Sequence, residues 1–226
     1  MDKTDIDVVA AAKLNLELML QENQQLKSKF SAVLEKLAQM ETLDPKERRS
    51  KFRELEEKGE LKFHGVDIRL FAHNSAPSKP LPAAEFLQRT RRRLRNTNTL
   101  LEEFIKRDVV KNGADLKDEI DALTYNIVNA NNPPEVVEFK QKVEALRESA
   151  TFTHYQSVKR EFIKKDPDLK TDVDFVTAKE TVEEGVENLQ RREEDLKTLS
   201  QKMETGSISV NEAQMQLEEL AMGTPN

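Results

Sequence analysis

The sequence predicts a mainly α fold: a long N-terminal coiled-coil helix, a small β-hairpin or strand element near residues 60–71, and then an elongated helical bundle. Three observations lead there. Apolar residues recur at alternating spacings of three and four through Val9, Ala12, Leu16, Met19, Leu26, Phe30, Val33, Leu37 and Met40, more than four heptads interrupted only by Asn23. That is the a/d seam of a coiled coil, and a lone buried Asn at an a position fixes register at some loss of stability. The 226 residues are 37% hydrophobic and 5% aromatic but 35% charged, a balance suited to long amphipathic helices. With 6 Gly and 8 Pro, the chain is punctuated too sparsely for a β-sandwich or a loop-rich enzyme.

The first element is the helix from Val9 to Met40. Leu14 and Leu18 fall at f and c, outside its seam, while Leu20 and Leu34 lie beside it at e. A lone two-stranded pairing leaves Leu14 and Leu18 in water, whereas a bundle or a partner groove covers them. Asp44-Pro45-Lys46-Glu47 then predicts a helix start, with Asp44 as N-cap and Pro45 in the first turn. Phe52 and Leu55 form its stripe and Gly59 its stop. These two helices make up an arm over residues 1–58.

Residues 59–71 change period. Leu61 and Phe63, then Val66, Ile68 and Leu70, alternate with charge, predicting two short strands turning at His64-Gly65. Residues 72–82 hold three prolines within six positions, Pro77, Pro80 and Pro82, and predict an extended linker.

Residues 83–165 are expected to form a helical bundle. Its first helix, from Ala83 to Lys111, carries Leu87, Thr90, Leu94, Thr97, Leu101 and Phe104, and is stopped by Asn112-Gly113. The next carries Leu116, Ile120, Leu123 and Ile127. A third opens at Pro133-Pro134 with Val136, Phe139, Val143, Leu146 and Ala150, its stripe continuing through Tyr155, Val158 and Phe162 to Asp166-Pro167. Residues 166–226 form an acidic coiled-coil helix from about Thr171 to Thr205, with Val182, Val186, Leu189, Leu196 and Met203 in a seam that Glu193 and Ser200 interrupt. Ser209 and Glu212 stand at capping-box spacing ahead of a short last helix, and Gly223 to Asn226 is read as a frayed end.

The net charge of −6 is unevenly spread. Residues 85–111 hold eight Lys and Arg against four acids, while residues 166–226 hold six against fifteen. A basic helix and an acidic tail attract each other, within a chain or between chains. No Cys is present, which removes disulfides, zinc fingers and cysteine catalysis. The N-terminus has no signal-peptide core, no apolar run approaches a membrane span, and a cytoplasmic protein is expected.

The isolated glycines exclude a phosphate-cradling loop and a dinucleotide fingerprint. His64, Asp67 and His73 cluster along the chain, but their spacing matches no metal-ligand pattern, and solvated side chains are the plainer reading. His154 is read as a packing or surface residue. No cofactor, metal or small-molecule substrate is expected. Arg89, Arg91, Arg92, Arg93 and Arg95 lie on one helix and spread over most of its circumference. Arg forks suit carboxylates and phosphates alike, and the missing interleaved aromatics weigh toward protein over nucleic acid.

The expected function is a non-enzymatic coiled-coil assembly or adaptor subunit. Its partner-binding seam would be Val9, Leu16, Met19, Asn23, Leu26, Phe30, Val33, Leu37 and Met40, meeting other protein chains in a homo- or hetero-oligomer. On that reading Leu26→Asp or Phe30→Asp abolishes association, and Asn23→Leu tightens it. The alternative is a nucleic-acid-associated accessory protein using the helix at 89–95, and a further one an enzyme with a site near His64, Asp67 and His73.

Overall fold

A computed structural model describes residues 3–77 and 79–222, with side chains from residue 7 onward. The expected frayed end and Ser78 of the linker lie outside the described residues. Among those described there are nine helices and one two-stranded sheet: α1 (Lys3–Glu41), α2 (Pro45–Glu57), β1 (Lys62–Phe63), β2 (Val66–Asp67), α3 (Ile68–Asn74), α4 (Ala83–Lys106), α5 (Gly113–Tyr125), α6 (Pro133–Glu148), α7 (Ala150–Lys165), α8 (Pro167–Glu204) and α9 (Val210–Leu220). No helix among them is long and apolar enough to cross a membrane. The mainly α fold with its long first helix and minute hairpin is as the sequence predicts. The chain divides into two compact units: one joins Met1–Lys79 to Thr181–Asn226, the other is Pro80–Glu180.

In the first unit the α1 seam closes on the chain's own helices. Every seam residue from Ala12 to Met40 is buried, Asn23 included, and Val9 is half-buried. The early part of α1 forms one core cluster with the end of α8 and with α9: Ala12, Leu16 and Met19 pack with Leu196, Leu199, Ala213 and Leu217. Further along, Phe30 is wholly buried against α8 at Gly185, where only a missing side chain leaves room for the ring. Burying a residue of that size contributes about 1.5–3 kcal/mol.

Local caps set the boundaries here. The Asp44 carboxylate accepts from the Lys46 and Glu47 amides at 3.0 and 3.1 Å, starting α2. Gly59, at φ 69°, ends it. His64 and Gly65 both take positive φ, 49° and 79°, the twist a two-residue hairpin turn requires. The second strand is shorter than predicted. The Asp67 carboxylate accepts the Arg69 amide at 2.9 Å and starts α3 instead. Ile68 and Ala72, four apart, are then buried on one helical face, while Leu70 faces out. At the other end of the chain, Ser209 and Glu212 form the reciprocal capping box, with bonds of 3.0 and 3.3 Å.

In the second unit one core gathers Leu87, Leu94, Leu101 and Phe104 of α4 with Leu116, Ile120, Val136, Phe139 and Tyr155, among others. Four expectations change. Helix α4 ends at Lys106, and Gly113 opens α5 rather than stopping α4; a Cβ there would stand 2.8 Å from Ile105 Cγ1. Helix α5 ends at Tyr125, so Ile127, expected on its buried stripe, is 92% exposed. The stripe running on past Ala150 is broken at Ser149. That residue leaves helical geometry at ψ 146° and caps α7 by accepting the Phe152 amide at 3.2 Å. Helix α8 starts at Pro167 rather than Thr171, because the Asp166 carboxylate accepts from the Asp168 and Leu169 amides, both at 3.0 Å.

Tyr155 lies edge-on to Phe104, centroids 5.6 Å apart, and its hydroxyl has no hydrogen-bond partner among the described residues. Burial holds its ionisation far above the ordinary phenol range. An unpartnered buried hydroxyl is destabilising. Tyr155→Phe should therefore raise stability by about 1 kcal/mol in thermal denaturation. A comparable fall would show that the hydroxyl is bonded.

Candidate partner-binding surfaces

Asn23 reaches across to α8. Its amide donates to the Leu189 carbonyl at 2.8 Å and its side-chain oxygen accepts from Arg192 Nη1 at 2.9 Å. Arg192 also donates through Nε to the Leu220 carbonyl at 2.7 Å, at the C-terminal end of α9 where a cation is favoured. Asn23 is fully buried and Arg192 5% exposed. The one polar seam residue thus joins α1, α8 and α9 of the same chain. Glu193 is not a mere interruption of the α8 seam: it is buried and pairs with Lys27 and, at 2.5 Å, with Lys197. Both groups hold its carboxyl below the usual carboxylate range, Lys197 the more strongly.

The expected binding seam is therefore covered by the chain itself. Leu26→Asp and Phe30→Asp would place carboxylates in this core, so they test folding before association. What α1 leaves uncovered is its other face. Leu14 and Leu18, one turn apart, are 58% and 56% exposed.

The Arg run of the second unit divides. Arg89 is buried and holds Glu85 at 2.6 Å. Arg91 donates to the Asn126 carbonyl at 2.6 Å, fastening the chain beyond α5. Arg92 is half-buried, Arg93 is exposed with Nε 3.9 Å from Glu180, and Arg95 is exposed. Glu180 also accepts from Asn96 at 2.7 Å. The five are not one basic face. Arg89 and Arg93 instead line a cleft of about 310 Å³ with two cations the sequence reading passed over, Lys140 and Arg147 of α6. Leu81, Phe86 and Val143 provide its apolar lining, and Glu144 is the one acid. Lys140 Nζ sits 4.5 Å from the centre of the Phe86 ring. The first unit has a larger groove of about 480 Å³ beside α9, but its lining alternates in sign: Arg191 and Lys202 with Asp195, Glu212 and Glu219.

His64, Asp67 and His73 do not assemble a site. The Asp67 carboxylate caps α3 and takes a fork from Arg69, with Nη2 at 2.5 Å. Partial burial pushes its ionisation up, but the Arg69 hydrogen bonds outweigh that and leave it below the ordinary range. His64 is exposed on the hairpin turn and its ring lies against Phe63. Among the described residues, no three His, Cys, Asp or Glu side chains converge as a metal site.

No family model, characterised protein or solved structure matches this chain.

Proposed function

We propose that the chain is a non-enzymatic adaptor that holds other protein chains by helix-on-helix packing. The observation that carries this reading is the Leu14–Leu18 ridge. The strongest apolar helix in the sequence satisfies its seam internally, yet keeps two adjacent leucines in water on the opposite face. Two large apolar side chains one turn apart are the anchors a partner helix seats between its own ridges. The internally closed seam supports the reading too, because it holds that ridge on a packed support.

The expected result is loss of partner chains on substitution. Tagged wild type and a Leu14→Glu/Leu18→Glu variant would be recovered from extracts of the source cells, and each purified chain sized by light scattering. Both positions are exposed, so the variant keeps its fold. Chains retained by wild type and lost from the variant, or a wild-type mass near twice 26.0 kDa falling to 26.0 kDa, support the adaptor. Identical bound chains and identical masses would remove it.

A further inference from the structure

We infer that the cleft between α4 and α6 binds an acidic peptide segment of a partner chain, its carboxylates on Arg93, Lys140 and Arg147 and an apolar side chain over Leu81, Phe86 and Val143. This rests on the adaptor reading and names a second contact that it uses. Four cations and one acid, Glu144, line a cleft of about 310 Å³, and with Glu85 and Glu180 beside Arg89 and Arg93 the cations still outnumber the carboxylates, on a protein whose net charge is −6. Such a concentration of one sign beside apolar walls attracts and holds an anion. The interacting group is a carboxylate because the chain already uses carboxylates around these cations: Glu85 on Arg89 at 2.6 Å, Glu180 near Arg93 at 3.9 Å, and Glu144 near Arg147 at 3.8 Å. Those contacts pose the guanidinium groups without covering the cleft, since the Arg93 and Arg147 side chains remain 47% and 46% exposed.

The same residues fit a nucleic acid poorly. The cleft's one aromatic ring, Phe86, has Lys140 over its face, where a base would stack. Arg91 is bonded to the Asn126 carbonyl, and neither it nor the exposed Arg95 belongs to the cleft lining. The apolar lining matches a peptide carrying Leu or Phe between its acids.

The test uses the full chain and a labelled peptide, Glu-Glu-Leu-Asp-Asp-Leu-Glu-Glu, followed by fluorescence anisotropy. Its Gln/Asn counterpart and labelled DNA and RNA oligonucleotides are measured beside it. Saturable binding of the acidic peptide is expected, weakening with salt, with the neutral peptide at least about tenfold weaker. Lys140→Glu/Arg147→Glu should reduce binding by about tenfold or more, while Arg95→Glu, on the same helix outside the cleft, should leave it unchanged. Circular dichroism confirms the fold of each variant. No saturable binding of the acidic peptide, equal loss in the Arg95→Glu variant, or tighter binding of the oligonucleotides would overturn the assignment. The Leu14 and Leu18 experiment reads a different unit, so its outcome separates failure of the adaptor reading from failure of the cleft.

Discussion

Gly185→Ala is expected to destabilise the first unit, although a glycine-to-alanine change inside a helix ordinarily stabilises by about 0.5–1 kcal/mol. The added Cβ would stand 2.2 and 2.6 Å from Cε1 and Cδ1 of Phe30, and 3.0 Å from Cβ of Ala72. Phe30 is fully buried and Ala72 is buried at 4% exposure, so neither gives way into solvent. Accommodation requires α8 to shift away from α1 or Phe30 to leave its rotamer, and overpacking of this kind costs about 1–3 kcal/mol. The net expected loss is about 1 kcal/mol, read as a lower urea midpoint with an unchanged slope. Phe30→Leu alone should also lose stability, through the cavity it opens. The two changes should be less than additive together, since the smaller side chain frees the space that the alanine needs. A Gly185→Ala variant more stable than wild type would mean that helix propensity governs the site and the close packing is not there.

These contacts also show how far the sequence could be read. The α1 seam was legible because its period repeats over many turns, so no single residue decides it. The starts of α2 and α9 were legible because a cap is local: Asp44 and Ser209 lie within three residues of the amides they accept. What covers the seam was not legible. An a/d pattern specifies a partner helix but not which chain supplies it, and Gly185 looked like an isolated helix glycine. Its place one heptad before Arg192, which itself precedes Leu199 by seven, was the available signal, since a small residue on a seam admits a large one opposite. Several of the elements that moved did so where capping overrode periodicity: Asp67 turned the strand pattern of Ile68 and Leu70 into a helix, and Ser149 divided a continuous stripe. The Arg run was visible, but the cleft was not. Lys140 and Arg147 lie on another helix about fifty residues away, and their own neighbours make them look like ordinary surface charges.

Asn23→Leu is expected to weaken the fold, the reverse of what the seam pattern alone implies. Replacing a polar residue at an a position usually stabilises, because the buried amide is a liability. Here the amide serves a buried cation. With leucine in its place, Arg192 loses the acceptor at 2.9 Å and the Leu189 carbonyl loses a donor at 2.8 Å, and both Arg192 and Leu189 are buried. A hydrogen bond to a charged group is worth about 1.5–3 kcal/mol, and the guanidinium left short of partners adds its desolvation. A loss of about 2–3 kcal/mol is expected in urea unfolding. Two further measurements separate this from mere misfit of the leucine. Adding Arg192→Met should recover part of the loss, because the cation that lacked a partner is gone. Amide exchange in α9 should rise in the Asn23→Leu variant, since Arg192 is also bonded to the Leu220 carbonyl at 2.7 Å and its displacement loosens that helix end. If Asn23→Leu instead stabilises the chain and leaves α9 exchange unaltered, the Asn23–Arg192 bond carries no energy and the residue acts on register alone.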